Sequence, residues 1–318
     1  MEKKIVFEGE IKERLDKFLK REVFLNMDAT RGEVIRQIRE GNVLVNNEKI
    51  KPSYMLKAED VIRIEVLEKK SGLELDQKMK LEIIAQNDDF VVINKPVGLQ
   101  VHPDFRKTQD TLVNGLLYKF PEIKNVGDMP ELRPGIVHRL DRATSGVLIV
   151  AKNQQTFLEL KQKFKDRKMK KIYWAVVYGR TEENGVIDAP LASAADYKKQ
   201  IVADAKTRTK IRSAMTDYVT LKNFDKFSLL EVSPRTGRTH QIRVHLSSIG
   251  HPIVGDEKYA RKEFVNDDAP RLFLHAKSLE FEMAGQKYKF IAPLPTDFAE
   301  FLEKNGLKSV KGIDLVRN

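Results

Sequence analysis

Cysteine is absent from the 318 residues, which excludes disulfides, thiolate zinc sites and a thiol nucleophile, and fits a cytoplasmic setting. Histidine occurs six times. His240 and His245 lie off the i, i+4 ligand spacing and no HExxH run is present, so no metal is expected. The glycine-rich fingerprints GxGxxG and GxxxxGK[ST] are missing, and with them any sign of a nucleotide cofactor. No apolar run approaches the ~18 residues needed to cross a bilayer, so no membrane partner is expected. The first residues interrupt their apolar positions with acids, unlike a secretory signal. Heptads and low-complexity tracts are also absent, and a monomer is expected.

What is present is basic charge, and it is unevenly placed. Lys and Arg total 57 against 46 Asp and Glu, a net of +11. Residues 1–80 hold 18 basic and 16 acidic residues, whereas residues 198–243 hold 11 and 4. A concentrated excess suits a surface that follows phosphates, although a solvated basic face gives the same count.

Two regions differ in pattern. In the first, Leu15, Phe18 and Leu19 share one helical face, and Val34, Ile35 and Ile38 repeat the spacing. Residues 30–33 have capping-box chemistry, Gly41 is a helix stop, and Asn46-Asn47 suits a tight hairpin turn. An alternating strand over residues 61–66 closes this module. Residues 69–80 are polar and read as a linker. Beyond them, strands are expected over 81–85, 90–94, 147–152, 172–178, 218–223 and 227–232. Helices are expected over 111–120, 154–165 and 240–249. Strands predominate without regular alternation with helices. The expected class is therefore α+β: a small αβ module over residues 1–68, then a mixed, largely antiparallel sheet domain with flanking helices over 81–307. Residues 308–318 read as a tail.

Three segments concentrate chemistry. Residues 133–146 set one carboxylate, Asp141, among His138, Arg139 and Arg142, ahead of an apolar strand. Neighbouring cations favour an ionised carboxylate, fit for a nucleophile or an electrostatic role; a structural salt-bridge cluster would use the same residues. Residues 235–246 carry Arg238, His240 and Arg243 into a helix whose buried stripe is Ile242, Leu246 and Ile249. Arg243 lies near that stripe and needs a partner, for which Asp141 is the attractive candidate. Residues 170–179 join Lys170 and Lys171 to a strand with Tyr173 and Ala175 on one face and Trp174 on the other. That mixture can stack bases and hold phosphates, though a tyrosine in a sheet is more often core.

Residues 14–19, 31–41, 43–46 and 51–56 resemble the S4 RNA-binding domain, with Ala58-Glu59-Asp60 standing where that family often has Gly-Asp. Residues 92–103, 138–146, the Lys171-x-Tyr173 strand, 235–245, 250–256 and 271–276 together resemble the RluA-type pseudouridine synthases, in family order. That resemblance implies an isomerase acting on RNA, with Asp141 as catalytic carboxylate, Tyr173 stacked on the uracil and Arg243 paired with Asp141. It implies Arg139 as the residue filling the gap of a flipped nucleotide and His138 lining the approach. Arg142, Arg238 and His240 complete the expected substrate contacts there, and Arg31, Arg36 and Arg39 those of the S4 module. Attack at C1′, attack at C6 and abstraction of a sugar proton stay open as routes. Large-subunit ribosomal RNA is the favoured substrate, with tRNA and a catalytically silent RNA-binding factor as alternatives.

Overall fold

The computed structural model describes residues 2–9, 12–23, 31–65, 73–103, 109–194, 199–260, 264, 269–307, 309–310 and 313–314. For residues 2–3, 31–33, 36, 309–310 and 313–314 it describes the backbone alone. The chain forms two compact units, Met1–Gly72 and Leu73–Asn318.

The first unit is β1 (Glu2–Val6), α1 (Leu15–Glu22), α2 (Arg31–Glu40), β2 (Val43–Val45) and β3 (Val61–Glu65), with β3 antiparallel between the other two strands. α1 buries Leu15, Phe18 and Leu19, and α2 buries Val34 and Ile38, as the spacing required. Asn46 and Asn47 both take positive φ, +52° and +67°, and Val45 and Glu48 exchange hydrogen bonds of 2.9 and 3.1 Å across them. Asparagine tolerates this mirror-image turn, whose twist matches that of the strands. Where the S4 pattern often has glycine, Glu59 stands at φ +71°. A non-glycine residue carries the left-handed strain here, about 1 kcal/mol. Thr30 of the capping box, Val66 and residues 69–72 of the linker lie outside the described residues.

The second unit is built on one sheet of order β4-β5-β6-β13-β7-β12-β11-β8, with β14 also paired to β13. Its elements are β4 (Ile83–Gln86), β5 (Phe90–Lys95), α3 (Leu112–Lys119), β6 (Ser145–Ala151), α4 (Gln154–Lys165), β7 (Lys170–Tyr178), β8 (Asn184–Asp188), β9 (Leu191–Ser193) and β10 (Gln200–Val202), followed by β11 (Met215–Asn223), β12 (Phe227–Pro234), α5 (Gln241–Ser248), β13 (Leu274–Met283), β14 (Gln286–Ile291), α6 (Thr296–Lys304) and the short β15 and β16 (Ser309–Val310, Ile313–Asp314). Only β6 and β13 pair in parallel among the described strands of this sheet. β6 is buried along its whole length, which explains its unbroken apolar run. α5 ends at Ser248, so Ile249 leaves the expected buried stripe and is 39% exposed.

The register places Gly146, Ala276 and Tyr173 side by side on β6, β13 and β7. A Cβ at residue 146 would stand 2.3 Å from the Ala276 carbonyl oxygen, and the backbone there is at φ +115°. Glycine is the residue that lets β6 approach β13 so closely. This packing brings the loop ahead of β6, with Asp141, beside the strand that carries Tyr173.

Candidate active site

Asp141 lies on the loop entering β6, where its carbonyl accepts the Thr144 N–H at 3.0 Å. Tyr173 comes from β7, His240 and Arg243 from the start of α5, and Lys171 and Arg238 from either side. All six line one pocket, with exposed Arg139 at its rim.

Arg243 is 8% exposed. The expected pairing with Asp141 is present as the looser of two ion pairs; the tighter, forked pair is with Asp256, Nε to Oδ2 at 2.8 Å and Nη2 to Oδ1 at 2.7 Å. Nη1 remains on the pocket side, 3.8 Å from Asp141 Oδ2. A guanidinium has two usable edges, so Asp256 fixes its orientation while the other edge faces Asp141. Burial works against the cation, but the Asp256 hydrogen bonds and the charges of Asp256 and Asp141 hold its pKa above the ordinary value. Asp256 also accepts the backbone N–H groups of Lys258 and Tyr259. The preceding Gly255 has no room for a side chain, since a Cβ would fall 1.9 Å from the Arg271 carbonyl oxygen.

His240 enters α5 at φ +55°, a left-handed conformation uncommon outside glycine. Its Nδ1 meets the Tyr259 hydroxyl at 2.6 Å, and that hydroxyl already accepts the Gln200 N–H. Nε2 lies 3.8 Å from Asp141 Oδ2; the neutral tautomer with its proton on Nε2, accepting the Tyr259 hydroxyl at Nδ1, sets a donor rather than a lone pair toward that carboxylate. Burial lowers the imidazole pKa; Asp141 opposes the shift and Arg243 adds to it. Buried Gln241 ties the loop ahead of α5 together. Its Oε1 accepts from the Thr236 hydroxyl and the Arg238 N–H, and its Nε2 donates to the Met215 carbonyl and the Thr216 hydroxyl.

Burial, assisted by the Asp141 charge, raises the pKa of Tyr173, so the phenol stays protonated. Burial lowers Lys171 to about 8; its Nζ lies 3.4 Å from the Thr236 carbonyl. Lys95 is fully buried and donates to the carbonyls of Pro96 (2.8 Å), Leu99 (2.9 Å) and Arg142 (3.5 Å). It pins the loop after β5 to the residue that follows Asp141. Burial lowers its pKa to about 7, against the pull of Asp141.

Of the other expected residues, Arg238 belongs to this pocket and the rest lie apart from it. His138 lines the adjoining hollow and not the Asp141 pocket: its Nε2 accepts the Ile149 N–H at 3.1 Å and its ring stacks on Phe164 at 4.5 Å. Arg142 donates from Nε to the Gly98 carbonyl and lines a separate hollow with Asp256 and Arg271. Arg238 donates to the Ser213 carbonyl at the pocket wall. Arg39 is exposed on α2, and the side chains of Arg31 and Arg36 lie outside the described residues. Asp256, Tyr259, Lys95 and Gln241 were not singled out from sequence, although three of them lie inside quoted motifs. Among the described residues no group of three His, Asp or Glu could hold a metal ion, and no helix is long and apolar enough to cross a membrane.

The pocket thus offers one carboxylate to a substrate, opposite a neutral phenol and under a guanidinium. The second nearby carboxylate is consumed by Arg243, which argues against the two free acids of a glycosidase.

Comparison with known proteins places these observations in a family. The family model described as RNA pseudouridylate synthase matches residues 89–248, and that of the S4 domain matches residues 13–62. An uncharacterized RNA pseudouridine synthase of Bacillus subtilis, YlyB, is 36% identical over 92% of this chain and 95% of its own length. The ribosomal large subunit pseudouridine synthase D of Borreliella burgdorferi is 38% identical over 80% of this chain and 78% of its own. Among solved structures, human RNA pseudouridylate synthase domain containing 1 superposes with a TM-score of 0.58 at 29% identity, over 70% of this chain and 86% of that one.

Proposed function

The chain belongs to the RNA pseudouridylate synthase family, and we propose that it isomerises specific uridines of large-subunit ribosomal RNA, acting as a cytoplasmic monomer. The observation that carries the site assignment is the meeting of Asp141, Tyr173 and the free edge of Arg243 in one pocket. The choice of RNA is supported by relatives named as ribosomal large subunit enzymes, in Borreliella burgdorferi and elsewhere.

The reaction breaks the N1–C1′ bond, turns the uracil and forms C5–C1′; N1 gains a proton and C5 loses one, so nothing is added overall. Inside a stem the target bond is shielded, and the nucleotide must leave the stack to reach the pocket. Exposed Arg139 at the rim is the residue to fill its place. Asp141 supplies the carboxylate chemistry, with Arg243 Nη1 and His240 Nε2–H each 3.8 Å from its Oδ2 and able to close on it when the pocket fills. Tyr173 stacks on the ring. A phenol held neutral is a weak base alone, but beside a carboxylate it can relay: its oxygen accepts the C5 proton as its own proton passes to Asp141.

Two measurements test this. Pseudouridines are mapped in total RNA from cells lacking the protein, with complementation by the wild type. Loss of particular large-subunit uridines is expected; loss confined to a tRNA position would refute the substrate choice. Tyr173→Phe is expected to lower product formation about 10²–10⁴-fold, the range for positioned acid–base groups. RNA affinity should stay nearly unchanged, and a primary isotope effect should emerge with 5-deuterated uridine. Full activity of Tyr173→Phe would remove the relay and leave stacking alone.

A further inference from the structure

A second hollow opens beside the Asp141 pocket and shares its wall, since Arg139, Lys171, Tyr173, Thr236, Gly237 and Arg238 line both. Its far side is the turn joining α4 to β7. That turn is rigid: the N–H groups of Asp166, Arg167 and Lys168 bond back to the carbonyls of Gln162, Phe164 and Lys163 at 2.8, 3.3 and 2.9 Å. This is the Schellman pattern, in which glycine normally takes the left-handed position. Here Arg167 holds it at φ +60°, where glycine would cost about 1 kcal/mol less. The turn therefore projects Lys165, Arg167 and Lys168, all exposed, from a fixed frame.

Neighbouring cations are already engaged. Arg235 forks onto Asp217, which is the one acid among the described residues lining the hollow, at 2.6 and 2.8 Å. Lys170 lies 3.8 Å from Glu280, and Lys163 is 3.2 Å from Glu159. Among the described residues, Lys165, Arg167, Lys168 and Arg139 have no acidic partner within 4.0 Å. Arg167 is near enough to Lys171 to add to the burial that depresses its pKa. Unneutralised cations around one hollow repel each other, and a bound polyanion relieves that repulsion. The floor is aromatic, with the Phe164 and His138 rings stacked and both reaching the hollow.

We propose that this hollow carries the RNA strand flanking the target uridine, a placement that rests on the reading of the chain as an RNA pseudouridine synthase. Phosphates lie against Lys165, Arg167 and Lys168, and a base lies against the Phe164–His138 stack. Continuity with the uridine pocket and the pairing of free cations with a π surface favour a nucleic-acid strand over an acidic peptide. His138 then acts as part of the stacking floor, outside the reacting pocket.

The test uses the full chain and a short fluorescein-labelled uridine-rich RNA, titrated by anisotropy between about 50 and 200 mM salt. Each phosphate contact on a single strand contributes roughly 0.7 to the slope of log K against log salt. Combined Lys165→Gln, Arg167→Gln and Lys168→Gln should make the slope shallower by about 2, and raise KM about tenfold with kcat within twofold. A control with the same charge change, Lys124→Gln with Lys222→Gln and Lys226→Gln, should leave the slope unaltered; these exposed residues line no part of the hollow. Arg167→Gly removes one cation while relieving the strained backbone, so weaker binding by that variant cannot be blamed on misfolding. An unchanged slope in the triple variant, an equal change in the control, or preferential binding of poly-glutamate would each overturn the placement. Pseudouridine formation by the wild type is read in parallel. An inactive wild type whose RNA binding still depends on the turn sinks the enzymatic reading alone, and an active one with an unchanged slope sinks the hollow alone.

Discussion

Asp141→Asn is expected to lower turnover by at least about 10⁴-fold while the RNA stays bound, because each of the open routes needs an ionised carboxylate at this position, whose loss binding elsewhere cannot offset. The substitution keeps the size and shape of the side chain. It removes the charge that Arg243 Nη1 and His240 Nε2–H both face at 3.8 Å. Because Arg243 has its own forked partner in Asp256, loss of the Asp141 charge leaves no buried guanidinium stranded. The melting temperature should therefore move by only a few degrees. The measurement is release of tritium from C5-labelled RNA, with affinity by anisotropy and stability by thermal melting. Residual turnover within a hundredfold of wild type would remove Asp141 from the chemistry. A collapse in RNA affinity would turn it into a binding residue.

Much of the fold was legible because local pattern and tertiary role agree. α4 occupies the expected span, and the other two expected helices in that unit shift by one residue at each end. The β13–β14 hairpin was missed for a physical reason. Its turn is Ala284-Gly285, at φ +50° and +75°, and alanine gives none of the Asn or Asp signal of such turns. The missed β13 is central, and its contact with Gly146 and Tyr173 assembles the site. In the site itself, the resemblance to the RluA-type enzymes pointed to Asp141, Tyr173 and Arg243, where residue types alone left a salt-bridge cluster and a core tyrosine open, and all three meet in one pocket. Orientation was illegible. His138 stands in the same motif as Asp141, yet its ring nitrogen is spent on the Ile149 N–H. Likewise a sequence holding both Asp141 and Asp256 does not rank them as partners of Arg243, because the fork depends on where the loop over residues 249–256 sets Asp256 against α5.

That fork yields the second large effect. Asp256→Asn should destabilise the protein by about 3–5 kcal/mol, the cost of stranding one half of a buried ion pair. For a unit of this size that is roughly 6–20 °C in melting temperature. It should also lower kcat about 10²–10³-fold well below the melting temperature, the usual cost of losing one oriented electrostatic group. Arg243 without its fork can close the 3.8 Å gap and occupy the Asp141 oxygens that the substrate needs. A merely structural role would lower the active fraction and leave kcat per folded molecule intact. The decisive variant replaces both partners, Arg243→Met with Asp256→Leu, because removing a buried pair together often restores most of the stability that breaking it costs. If Arg243 positions Asp141, this double variant melts close to the wild type, still binds RNA and makes no pseudouridine. A double variant that regains activity along with stability would show that the pair serves the fold alone.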